Sequence, residues 1–341
     1  MRVCIVGSGA VGGFFGAKLA RGGHEVIFIA RGAHLEAIRR RGLIVRDYKG
    51  EEWRVRSQAE SSAVGLGEID FVFYAPKTYS DSDMLPILDE AAGGHGVVIT
   101  LQNGVESAPA IEAVIGKGRV IGGAAYVATR LAEPGVIVQS GPHRRIAFGE
   151  TAGDVSKVSL RCLLLETVFK ECDIVAEPHP NGWTPLWEKY IYLAPFAGFT
   201  GASRSPIGAL WSDPGTKKLM TAAFVEMLAV AKAERVPLKP GTLKRIIAYV
   251  DKLDPSVKSS LLIDIESGKP TEAEALLGGV VRRARKRRVR TPIMDTLYAA
   301  LRPRAEIPPY EPPLTPMSQL TRTNHEERAA RHQAPSRSSR S

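Results

Sequence analysis

The sequence predicts an α/β chain in which a parallel sheet with covering helices comes first and an all-helical region follows. Three observations carry this. Short apolar runs alternate with helix-like stretches through residues 1–178. A glycine-rich turn stands between the first apolar run and the first helical stretch. Beyond the punctuation Pro178-His179-Pro180-Asn181-Gly182 the pattern becomes almost wholly helical. Strand–helix–strand alternation requires right-handed crossovers, and these build a parallel sheet.

The elements follow in order. Residues 2–6 read as a buried strand, residues 11–21 have helical spacing that closes on Gly22-Gly23, and residues 25–30 are a second strand. The runs 71–75, 97–101 and 120–125 continue the sheet, with helix-like stretches between them. Residues 135–139 and 145–149 read as shorter strands added as a hairpin at the sheet edge. Residues 156–172 form a helix, and 173–176 a last strand. Helices are then expected at 185–201, 215–234, 240–253 and 271–286, with a shorter one around 260–266. The expected organisation is a Rossmann-type domain over residues 1–178 and a helical substrate domain over 179–302, with a cleft between them. From 303 to 316 six of fourteen residues are proline, and the chain ends Ser-Arg-Ser-Ser-Arg-Ser. That composition does not bury enough surface to fold, so residues 303–341 are expected to be a disordered tail.

Composition narrows the function. A hydrophobic content of 44% with 24% charged residues is that of an ordinary globular protein. Cys4, Cys162 and Cys172 are odd in number and lack CxxC spacing, so they read as reduced thiols with no metal site. No apolar run reaches the roughly 18 residues of a membrane span. The N-terminus has no secretory h-region, so a cytoplasmic protein without a membrane partner is expected. The net charge of +10 is concentrated in residues 282–290, where seven of nine are basic. No aromatics interleave that run for base stacking, so it reads as the solvated end of an amphipathic helix and no nucleic-acid partner is expected. The oligomeric state is left open, a homodimer being compatible.

Gly7-Ser8-Gly9-Ala10-Val11-Gly12 matches GxGxxG, follows a strand and opens a helix, the setting in which the motif holds a dinucleotide. Gly7 permits the tight turn, Gly9 lets the backbone approach a pyrophosphate, and Gly12 lets helix and sheet pack closely. The second strand ends Ile29-Ala30-Arg31-Gly32, placing a cation where NAD enzymes usually carry Asp or Glu. An arginine there suits a 2′-phosphate, so NADPH is the expected cofactor, unless Arg31 merely caps the strand. Ligands of open parallel sheets bind outside the carboxyl ends of the strands, and Lys77 and Asn103 fall there. Each is either a turn residue or part of the site. Lys189 is the single cation between Asn181 and Arg204, amid aromatic and aliphatic residues. It either snorkels to the surface or faces the cleft, where burial would lower its pKa toward that of a general acid. Thr271 and Glu274 read as a capping box, which leaves Glu272 free for another role.

Taken in order, these segments resemble the ketopantoate reductases (2-dehydropantoate 2-reductases) from residue 1 to about 302. The likeness rests on the GxGxxG with Arg31, Pro76-Lys77-Thr78-Tyr79, Gln102-Asn103-Gly104 and the Gly-Pro…Phe-Gly-Glu stretch of 141–150. Leu186-Trp187-Glu188-Lys189, the Ser-Ser-Leu-Leu-x-Asp-Ile of 259–265 and Thr271-Glu272 complete it. The resemblance implies NADPH-dependent reduction of a small 2-oxo acid, ketopantoate, to pantoate on the way to pantothenate and coenzyme A. It implies Lys189 as general acid, Glu272 on the substrate hydroxyl and Ser260 on the carboxylate. Asn103 would position the nicotinamide end and the lysine, and Lys77 would line the cofactor–substrate cleft. The chain departs from the family where Leu193, Ala197 and Leu277 stand in place of asparagines. Two further readings therefore stay open: reduction of another branched or more apolar 2-oxo acid, and a non-catalytic NADPH-binding regulator.

Overall fold

A computed structural model describes residues 1–306, with side chains to residue 302; the tail expected over 303–341 lies otherwise outside the described residues. The first strand, β1 (Arg2–Val6), shows how the sequence makes the sheet. Val3 and Ile5 point to one core and Cys4 and Val6 to another, so the strand is buried on both faces as a central parallel strand must be. From it the chain runs through α1 (Ala10–Arg21), β2 (Glu25–Ile29), α2 (Gly32–Arg41), β3 (Leu43–Arg46), β4 (Glu52–Val55), β5 (Gln58–Glu60) and β6 (Phe71–Tyr74). There follow α3 (Asp81–Ala92), β7 (Val97–Thr100), α4 (Ser107–Ile115), β8 (Val120–Tyr126), β9 (Thr129–Glu133), β10 (Val136–Gln139), β11 (Arg145–Glu150), α5 (Leu160–Glu171) and β12 (Val175–His179). The main sheet has the order β12-β11-β8-β7-β6-β1-β2-β5, and β3, β4, β9 and β10 form a separate four-stranded sheet. Helices α1 and α5 cover one face, α3 and α4 the other. This is the doubly wound α/β architecture expected from the alternation.

The expected edge hairpin is not there. β10 pairs with β3 and β9 in the small sheet, while β11 joins the main sheet antiparallel to β8. Ile146, Ala147 and Phe148 are buried on both faces, which a two-stranded edge ribbon could not provide. β12 runs parallel to β11 and carries Pro178 and His179, so the strand enters the segment that reads as punctuation.

The helical half is built on α6 (Trp183–Ser203), followed by α7 (Ile207–Ser212), α8 (Pro214–Ala233), α9 (Thr242–Val250) and α10 (Ser260–Glu266). A π-helical turn (Glu274–Gly278), α11 (Gly279–Lys286) and α12 (Pro292–Glu306) close it. α6 is apolar on nearly every side and packs against α8, α10 and α12, a central helix in its own core. The capping box expected at Thr271 is not formed. Thr271 Oγ1 accepts from Ala273 N at 3.4 Å, but the Glu274 carboxylate is held by Arg282 and the Tyr298 hydroxyl. α12 carries the helix on to Glu306, past the point where the proline count places the start of the tail.

The basic run ends α11 in ion pairs. Arg283 binds Glu106 and Glu234, Arg287 binds Glu234 and Arg285 binds Asp295. Glu106 lies just before α4, so Arg283 also ties the helical half to the sheet half. Among the described residues no helix is long and apolar enough to cross a membrane.

Candidate active site

The glycine turn shapes one wall. Gly7 has φ +92°, and a Cβ there would stand 2.4 Å from Pro76 N. A Cβ on Gly12 would meet the Gly7 carbonyl oxygen at 2.3 Å, so helix and turn touch backbone to backbone. Gly9, which precedes α1, has nothing within 4 Å of its missing Cβ. Open space thus faces the first turn of α1, where Ala10 and Val11 begin the helix and its unpaired N–H groups favour an anion. The pyrophosphate of a dinucleotide fits this cradle. Ser8 is buried, its N–H donating to the Ile29 carbonyl at 3.1 Å. His34 props the turn from behind: its Nε2 lies 2.7 Å from Ser8 O, and its Nδ1 accepts from Gly135 N at 2.9 Å. Burial lowers its pKa, so the ring stays neutral.

Arg31 precedes α2 at the end of β2, with half of its side chain exposed. Its guanidinium donates to Asp83 Oδ2 at 3.1 Å and lies 2.8 Å from the Met84 sulfur.

Lys77 and Asn103 stand at the carboxyl ends of β6 and β7. The loop bearing Lys77 is pinned by Gln102, whose Nε2 donates to the Pro76 carbonyl at 3.0 Å and to Asp81 at 2.7 Å. The Tyr74 hydroxyl donates to the same Asp81 at 2.8 Å. Lys77 Nζ reaches across to the helical half and donates to Glu272 at 2.8 Å and Asp264 at 3.3 Å. Thr78 N donates to the other Glu272 oxygen at 3.2 Å. Burial works against the charge on Lys77, but Glu272 and Asp264 outweigh it and raise its pKa.

Lys189 is delivered by close packing. Leu186 sits over Gly122, and Gly182 over Gly149, at distances that leave no room for a Cβ on either glycine of the sheet. The first turns of α6 thereby lie on β8 and β11. Lys189 Nζ donates to Asn103 Oδ1 at 2.8 Å and to the Ala125 carbonyl at 2.6 Å, both neutral acceptors. Burial lowers its pKa to about 8, Glu272 partly opposing the shift and Arg145 adding to it. The ring of Tyr126 lies 5.5 Å from the ammonium and carries the Arg145 guanidinium at 3.7 Å.

The structure therefore brings Lys77, Asn103, Lys189 and Glu272 together at the carboxyl ends of the strands. Ser260 is exposed at the start of α10, where buried Ser259 is the capping residue. It lies one helical turn before Asp264, on the same face.

This arrangement has known counterparts. The family model "Ketopantoate reductase PanE/ApbA" matches residues 3–153, and its C-terminal partner matches residues 183–305. A 2-dehydropantoate 2-reductase of Mesorhizobium japonicum is 32% identical, covering 89% of this chain and 97% of its own. An oxidoreductase of Bacillus subtilis, YkpB, is 27% identical over 88% of this chain and 98% of its own. The crystal structure of a PanE/ApbA family ketopantoate reductase from Ralstonia eutropha superposes with a TM-score of 0.80 at 29% identity, covering 90% of this chain and 99% of that one. The chain belongs to the ketopantoate reductase family.

Members of this family are NAD(P)H-dependent oxidoreductases, and in this chain the three departures from the family's asparagines are apolar in fact as well as in letter. Leu193 and Ala197 follow Lys189 by one and two helical turns, and with Leu277 they are buried in the core of the helical half. Several contacts were not legible in the sequence. Ala125 contributes a backbone oxygen, which no residue type announces. Gln102, Asp81 and Tyr74 act through the Lys77 loop, and Asp83 meets Arg31 from another helix. Asp264 stands inside the quoted 259–265 segment, and its spacing from Ser260 was the signal available.

Proposed function

We propose that this ketopantoate reductase family member reduces ketopantoate to pantoate with NADPH, the step that leads to pantothenate and coenzyme A. The observation that carries the reading is the Lys189 ammonium, held on Asn103 and Ala125 O at the carboxyl ends of the strands. Bound NADPH would supply hydride to the 2-keto carbon. Lys189 Nζ donates a proton to the keto oxygen as negative charge develops there, and leaves as a neutral amine that solvent reprotonates. A pKa of about 8 suits that transfer near neutral pH, where the amine is charged yet readily gives up its proton.

Asn103 fixes the direction of the ammonium through its side-chain oxygen. Glu272 is 5% exposed and held by Lys77 and Thr78 N, and a remaining lone pair of its carboxylate would accept from the substrate hydroxyl. Ser260 would meet the substrate carboxylate. The Gly7–Gly12 turn would hold the pyrophosphate, and Arg31 the 2′-phosphate.

A second reading has its own observation. Leu193, Ala197 and Leu277 are buried apolar residues where the resemblance has asparagines, and a site without those hydrogen-bonding groups would discriminate less in favour of a hydroxylated substrate. It predicts the same chemistry on a branched or more apolar 2-oxo acid. The test is NADPH oxidation by purified protein with ketopantoate and with simple branched 2-oxo acids. The highest kcat/KM with ketopantoate supports the first reading, and tenfold or more in favour of an apolar acid the second. No oxidation with any of them, while NADPH still binds, makes the protein a binding module instead.

A further inference from the structure

The geometry points to Asp83 as a second cofactor-discriminating residue, one that works against Arg31 and opens the site to NADH as well as NADPH. The inference rests on the proposed use of a nicotinamide dinucleotide. Arg31 lies at the carboxyl end of β2, and Asp83 in the first turn of α3, which follows β6. β2 and β6 flank β1, whose end carries the glycine turn. The adenine ribose of a dinucleotide on that turn would reach the gap between the two side chains. There the Asp83 carboxylate accepts from Arg31 at 3.1 Å, with both partners at least half exposed.

The two ribose types meet this pair differently. A 2′-phosphate needs the guanidinium and is repelled by the carboxylate, so it must displace Asp83 or bind beside it. An exposed ion pair is weak enough to be displaced, and NADPH is accepted at a reduced affinity. A 2′-hydroxyl can donate to Asp83 while its oxygen accepts from Arg31, so that Asp83, reaching in from α3, supplies the acceptor that NAD enzymes carry at the end of the second strand. The two side chains together accommodate both cofactors.

The test is equilibrium titration of the wild type, Asp83→Asn and Arg31→Ala with NADPH and NADH, without substrate. The wild type is expected to bind both within about tenfold of each other. Asp83→Asn should tighten NADPH by about three- to tenfold and weaken NADH by a similar factor, because it removes a charge and keeps the shape. Arg31→Ala should weaken NADPH far more than NADH, which loses one hydrogen bond where NADPH loses its charge partner. Asp83→Asn shifting both cofactors equally, or neither, overturns the inference while normal NADPH binding leaves the proposed function standing. Failure of the wild type to bind either cofactor overturns both. Circular dichroism of the exposed-site variants separates a folding defect from a binding one.

Discussion

A lysine that is to protonate a carbonyl near neutral pH has to be charged and reluctant to stay so, and Lys189 meets both demands. Burial brings its pKa from 10.5 to about 8. The sign of the consequence is fixed by the direction of the shift. With Lys189 as the proposed general acid the ammonium would be the active form, so kcat/KM for reduction should be flat below pH 8 and fall about tenfold per pH unit above it. A lysine at its ordinary pKa would hold the plateau to about pH 10. A descending limb near pH 10 in the pH–rate profile would therefore contradict the burial of Lys189. The meeting of Lys77, Asn103, Lys189 and Glu272 was half legible. Lys77 and Asn103 follow strands at the rim but read equally as turn residues. Lys189 is a lone cation in an apolar stretch that could have snorkelled, and Glu272 was left over by the local capping pattern. Gln102, Asp81 and Asp83 were not, since a polar residue in a loop or first helical turn is ordinary until its tertiary partner is known. The Thr271–Glu274 pairing failed for the same reason: local spacing proposes a cap, but Arg282 and Tyr298 compete for the carboxylate and win.

At the scale of elements, the turn between β1 and α1 makes two glycines testable against each other. A side chain on Gly12 collides with the Gly7 carbonyl at 2.3 Å, so Gly12→Val should lower stability by about 3 kcal/mol through a forced backbone shift. A methyl on Gly9 enters open space, so Gly9→Ala should cost about 1 kcal/mol or less yet weaken dinucleotide binding about tenfold or more. Thermal melts and cofactor titrations of the two variants check this; loss of stability at Gly9 with binding intact would reverse the roles. The sheet and the main helices were legible because β1, β6 and β7 are continuous apolar runs and α6 and α8 are long. The small sheet was not. Its strands are four or five residues long, and β9 is exposed almost throughout, so no alternation distinguishes it from a loop. The strand expected over 135–139 was real but misplaced: β10 joins the small sheet and only β11 joins the main one, because a run of four residues does not say which sheet it joins.

For the whole molecule, the proposed function depends on two halves meeting at one rim of the sheet. Arg283 to Glu106, Lys77 to Glu272 and Lys189 to Asn103 and Ala125 O all cross from one half to the other. The change from alternating to helical pattern near residue 180 announced the two halves, but no sequence period encodes how they face. Their meeting is a tertiary product, made by α6 lying on Gly122 and Gly149. Hydride acceptance is expected to depend on the Lys189 proton, and dinucleotide binding is not. The most direct measurement is single-turnover oxidation of NADPH with ketopantoate by the wild type and Lys189→Ala, with NADPH affinity measured in parallel. The variant's rate should be lower by about 10²–10⁴-fold with NADPH affinity nearly unchanged. A variant that oxidises NADPH at the wild-type rate would contradict it.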